Sequence, residues 1–173
     1  MKNIISYANL KLKLNNDTKN FIFGEHTIEV YQYLPVADKY DLVMITLQKS
    51  EEGYLYNPIK LDMFFHLHLV YMYSNLNFTQ KQKEDEEKIY DCLRSNGLLD
   101  KILENFPEAE YKELMKFLEE LIDVKYRFNL SAAGTVDRIL TDLPRQAEAM
   151  QEILQEYDPN KINNIMELAK KLS

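Results

Sequence analysis

The sequence predicts an α+β fold that is mostly α: a small N-terminal antiparallel β-sheet or hairpin followed by a bundle of about six to eight helices. Three observations carry this. Residues 27–33 (TIEVYQY) alternate with the period of two that marks a strand. Residues 108–128 repeat Tyr111, Leu114, Met115, Leu118, Leu121 and Ile122 at the 3.6-residue period of an amphipathic helix. Start and stop signals then cut the rest of the chain into helix-sized pieces.

Element by element, Lys11-Leu12-Lys13-Leu14 alternates, Asn15-Asn16-Asp17 is a turn cluster, and Phe21-Ile22-Phe23 follows, with Gly24-Glu25 as a tight turn before 27–33. The expectation is a sheet of two or three strands with one face against helices, because a lone hairpin is marginal. Pro35 suits the first position of a helix, and Val36, Tyr40, Val43 and Leu47 recur at helical spacing over 36–50. After the loop EEGYLYNP, Asn57 is a good N-cap with Pro58 at N1. The run 59–73 is apolar on nearly every side and reads as the central core helix, with a strand pair as the competing assignment.

Thr79 and Gln82 have capping-box spacing and open a helix that is polar at first and ends in Ile89, Cys92 and Leu93. Asn96-Gly97 stops it, a short helix runs through Leu98-Leu99 and Ile102-Leu103, and Phe106-Pro107 breaks that. Beyond the helix of 108–128, residues 131–134 (SAAG) read as a linker or cap, and Thr135 opens a helix that stops before Pro144. Helices over 144–157 and 159–172, joined at Asp158-Pro159, complete the chain as an αα-hairpin.

The chain has 173 residues and 20.5 kDa, enough for one ordinary domain or two small ones. Residues 1–80 hold 7 basic and 8 acidic residues while 81–173 hold 14 and 20, so most of the net charge of −7 sits in the second part. The expected organisation is an N-terminal α+β part, 1–80, and an acidic helical part, 81–173, or one continuous domain in which 144–173 is a C-terminal helical hairpin. With four scattered arginines and no cationic cluster, no nucleic-acid partner is expected. The longest apolar stretch, 61–73, is short of the ~20 residues a membrane span needs, and the first residues lack the apolar run of a secretory signal, so an intracellular protein is expected.

Chemistry-bearing patterns are few. His66 and His68 would share a face on a strand and could hold zinc with a third ligand, but on a helix they point about 200° apart. With a helix favoured, they read as core or interface histidines. Cys92, the only cysteine, sits with Ile89 and Leu93 in an apolar stripe and reads as packing. No nucleophile elbow, P-loop, dinucleotide fingerprint or H-E-x-x-H occurs, and 84–87 (EDEE) reads as a solvated helix start. The expectation is no catalytic residue, no cofactor and no metal.

Twelve tyrosines and eight phenylalanines without tryptophan exceed what a plain solvated domain needs, and tyrosine is enriched at interfaces. Candidate partner-binding residues are therefore Tyr54, Tyr56 and Tyr73 around the central apolar element. Met150, Leu154, Tyr157, Ile165 and Leu168 join them, on the stripes of the expected C-terminal hairpin, a candidate docking arm.

Three segments, HTIEVYQYLPVADKYDLV, YLYNPIKLDMFFHLHLVYMYSNLNFT and IYDCLRSNGLLDKILENFPEAEYKEL, together resemble small non-enzymatic proteins of the structural gene modules of tailed bacteriophages of low-GC Gram-positive hosts. That family includes tail assembly chaperones and minor virion components. The resemblance implies a protein that binds other phage structural proteins or itself, as an oligomer or a component of a larger assembly, in the host cytoplasm or the virion. The alternative is a small acidic regulatory or inhibitory protein that blocks a host partner.

Overall fold

The computed structural model describes the backbone of residues 5–156 and the side chains of 5–148. The architecture is α+β and mostly α, with seven helices and two small antiparallel strand pairs among the described residues. It divides into two compact units, Met1–Val124 and Lys125–Ser173, with the division inside one helix. The parts 1–80 and 81–173 do not correspond to these units, because residues beyond 80, such as Leu99, Ile102, Leu114 and Leu118, share one apolar core with Ile28, Leu42 and Leu67.

In the first unit, β1 (Thr18–Phe23) pairs with β2 (His26–Tyr31) from Thr18↔Tyr31 to Phe23↔His26. Gly24 makes the turn at φ +61°, which glycine adopts without the Cβ clash other residues meet. The outer edge of β2 is closed. Asn75 accepts from Glu29 N at 3.1 Å and donates to Glu29 O and Thr27 O, both at 3.2 Å, and Val30 bridges Ser74. Residues 11–14 are not a strand: a 3-10 turn, Tyr7–Leu10, precedes them, Lys11 sits at φ +47°, and they pair with nothing among the described residues.

Helix α1 (Val36–Ser50) has the expected bounds, although Pro35 is its N-cap and not its first residue. The segment read as a loop contains a further strand pair, β3 (Glu51–Glu52) with β4 (Leu55–Tyr56). Helix α2 (Pro58–Tyr73) is capped by Asn57, whose Oδ1 accepts from Ile59 N and Lys60 N. It is the core helix, burying Phe65, Leu67, Leu69, Val70 and Tyr73. A strand pair there is excluded.

The capping box of Thr79 and Gln82 forms, but it opens only α3 (Gln80–Lys83). The single helix expected over this region is two, because Asp85 leaves helical geometry and its carboxylate caps α4 (Glu86–Ser95) by accepting from Lys88 N. Gly97, at φ +71°, turns the chain into α5 (Leu98–Asn105), and α6 (Glu108–Leu130) follows Pro107.

In the second unit, Ser131 caps α7 (Ala132–Glu156), its Oγ accepting from Gly134 N at 3.1 Å. Two expectations fail here. Gly134 lies inside the helix, where a Cβ would stand 2.1 Å from Phe128 O, so close backbone approach is what requires glycine. Pro144 does not end the helix either. It forfeits one rung, to the Leu140 carbonyl, and good helix formers on both sides, Leu143 and Arg145-Gln146-Ala147, carry the helix through. The expected helix 159–172 lies outside the described residues.

Candidate functional site

The site begins with the rotation of α1. The sequence stripe Val36, Tyr40, Val43, Leu47 is not the buried face. Instead α1 buries Lys39, Leu42, Val43, Thr46, Leu47 and Ser50, a face turned by roughly 60° at 100° per residue. Val36 is 72% and Tyr40 61% exposed.

A buried charge lies on the turned face. Lys39, 4% exposed, donates to Glu110 Oε1 at 2.7 Å and Glu113 Oε2 at 2.6 Å, and its Nζ lies 4.7 Å from the Tyr33 ring centroid. Glu110 Oε2 also accepts from the Tyr73 hydroxyl at 2.8 Å. Burial alone would lower the Lys39 pKa, but hydrogen bonds to and charges of the two glutamates outweigh it and raise it. The Tyr73 hydroxyl is held far above its ordinary value by burial first and then by Glu110. Periodicity missed this cluster because a lysine on a helix normally reads as solvated; Glu110 lies 71 residues away.

Val36 and Tyr40, which this rotation leaves outside, line a groove together with the buried Val43. Val36, Tyr40 and Val43 of α1 face Phe117, Glu120, Leu121 and Val124 of α6 across about 370 Å³, and every lining side chain except Glu120 is apolar or aromatic. Val124 is mostly exposed, and Leu121 and neighbouring Met44 are also open to solvent. A concavity lined by apolar side chains that are open to solvent is a mark of a binding surface.

Tyr54 is half-buried in the β3–β4 turn, and Tyr56 is half-buried against the core. Tyr73, expected at a partner surface, is wholly buried and belongs to the core polar cluster. Met150 and Leu154 lie on α7, with side chains outside the described set. Tyr157, Ile165 and Leu168 lie outside the described residues. The structure therefore does not gather the predicted tyrosines into one surface.

The two histidines diverge on α2. His68 accepts from or donates to Thr46 Oγ1 at 3.1 Å and stacks on Phe64, and burial, with Lys49 and Lys83 nearby, pulls its pKa down to about 4. His66 belongs to a second network. Its Nδ1 faces two acceptors, Asp62 O at 2.9 Å and Asp62 Oδ1 at 3.2 Å, so the ring donates from Nδ1. Nε2 shares a hydrogen bond with the Tyr111 hydroxyl at 3.2 Å, while Tyr90 donates to Asp62 Oδ2 at 3.2 Å.

Carboxylate, imidazole and hydroxyl stand in the order of a nucleophilic constellation, but burial and then Asp62 raise the Tyr111 pKa, the reverse of activation. The network ties α2, α4 and α6 together. Among the described residues no three His, Cys, Asp or Glu side chains are placed to hold a metal ion, and no helix is long and apolar enough to cross a membrane. Cys92 is exposed and not packed, lining a shallow cleft with Phe78, Ile89 and Leu93.

No family model, curated protein or solved structure matches this chain.

Proposed function

We propose that this chain is a non-enzymatic structural or assembly protein of a tailed bacteriophage, working by protein–protein contact through the α1–α6 groove. The observation that carries the binding role is the exposure of Val36 and Tyr40 opposite Leu121 and Val124, apolar surface that the fold leaves uncovered in the first unit. The phage setting rests on the resemblance of the three segments quoted above, and with it goes a place in the host cytoplasm or the virion.

The test is co-expression with the products of the genes adjoining its own, each tagged in turn. Expected is a stoichiometric complex with a head or tail protein that survives gel filtration and is lost in Val36→Asp, Tyr40→Asp. A complex indifferent to those substitutions removes the groove from the reading. Flanking genes unrelated to virion assembly remove the phage role.

A further inference from the structure

Residues 5–14 present a second uncovered apolar surface, independent of the groove. Ile5, Tyr7, Leu10, Leu12 and Leu14 are each more than half exposed, and no residue of the 3-10 turn is buried. The hydrogen bonds of residues 5–16 stay local: Asn9 N to Ser6 O, Lys11 N to Ala8 O, and Asn15 Oδ1 accepting from Asp17 N. Lys11 is exposed and sits in the left-handed region at φ +47°, a conformation that strains a non-glycine residue. The sequence Leu10-Lys11-Leu12-Lys13-Leu14 nevertheless has the alternation of a half-buried strand. It is strand-patterned sequence without a strand partner.

The same unit holds the complementary defect. Asn75 and Ser74 close the outer edge of β2, but among the described residues no strand pairs with the outer edge of β1. An open edge is a template for a further strand, and three strands are far more stable than two. Charge selects the donor. The first fourteen residues carry three lysines and no acid, so the rest of the chain holds 18 basic against 28 acidic residues. Beside β1, Lys19 lines a cavity with Leu103, Phe106 and Tyr111, flanked by Glu104 and Glu108, which offers apolar and acidic partners to a Leu/Lys strand.

We propose that residues 10–14 are a donor strand that pairs with the open β1 edge of a second copy of this chain. Pairing draws Lys11 into extended geometry, puts Leu10, Leu12 and Leu14 together on one face of the new strand and sets the cationic segment of one copy on the acidic body of another.

Sedimentation velocity on the full chain over a range of concentrations and salt tests it. Expected is a reversible self-association that weakens with salt and becomes at least roughly tenfold weaker in Leu10→Ser, Leu12→Ser, Leu14→Ser, with the melting transition of the body in place. A wild-type chain that stays monomeric at about 100 µM, or association untouched by the triple substitution, overturns the proposal.

A second measurement separates exchange between copies from folding back across Asn15-Asn16-Asp17. In a Cys92→Ser background carrying Leu12→Cys and Asn20→Cys, an equal mixture of labelled and unlabelled chains is treated with a short bismaleimide. Mixed-isotope links between position 12 and position 20 are expected. Links confined to one isotope, or none, overturn it.

Discussion

The Nζ of Lys39 lies 2.7 Å from Oε1 of Glu110, and both residues are buried, although they come from helices 71 positions apart in sequence. A buried ion pair returns little net stability over an apolar pair, but breaking one leaves an uncompensated charge. Glu110→Ala is therefore expected to cost about 3 kcal/mol, since Glu113 keeps part of the compensation and Tyr73 loses its acceptor. Lys39→Met with Glu110→Gln removes both charges and retains an acceptor for Tyr73, so it should recover most of that loss. Urea unfolding midpoints of the three proteins decide it.

His68 makes stability pH-dependent. Its pKa is about 4 in the folded chain against an ordinary 6.5, so between those values the unfolded chain binds more protons. Its contribution is full above pH 6.5 and is lost as pH falls toward 4, up to about 3 kcal/mol. The expected outcome is a lower urea midpoint at pH 4.5 than at 7.5, and a smaller difference in His68→Gln. An NMR titration should show the His68 ring neutral down to about pH 5.

Gly134→Ala should disturb the second unit selectively. The new Cβ would meet the Phe128 carbonyl at 2.1 Å and the Asn129 Cα at 2.9 Å, both backbone atoms that cannot swing away. A cost of about 1–3 kcal/mol is expected there, although alanine is the better helix former. Hydrogen exchange should quicken over 128–138 and stay unchanged over α2.

The two faces of α1 should respond oppositely. Leu42→Ala empties a fully buried position and is expected to cost about 2–5 kcal/mol, while Val36→Ser and Tyr40→Ser should stay within about 0.5 kcal/mol. Thermal melts of the three variants distinguish a rotated helix from one that buries its sequence stripe.

What the sequence by itself determined is mostly local. The bounds of α1, the Asn57 cap with Pro58 behind it, the capping box at Thr79 and Gln82, and the turn at Gly97 each depend on groups within a few residues, so they are legible in a short window. The all-round apolar character of 59–73 likewise announced a core helix. Which face of α1 is buried was not legible, because Lys39 reads as solvated until Glu110 and Glu113 from a distant helix are seen to receive it, and with it went the identity of the groove. Tyr73 reads the same in a window whether it faces a partner or the core, and only packing against Phe106 and Glu110 separates the two. The alternating 11–14 has strand chemistry but no strand partner among the described residues, since a strand exists only where another edge supplies its hydrogen bonds. Gly134 is the converse case, a helix breaker in sequence that sits inside a helix because the backbone of Phe128, across the tight junction of α6 and α7, occupies the space of any side chain.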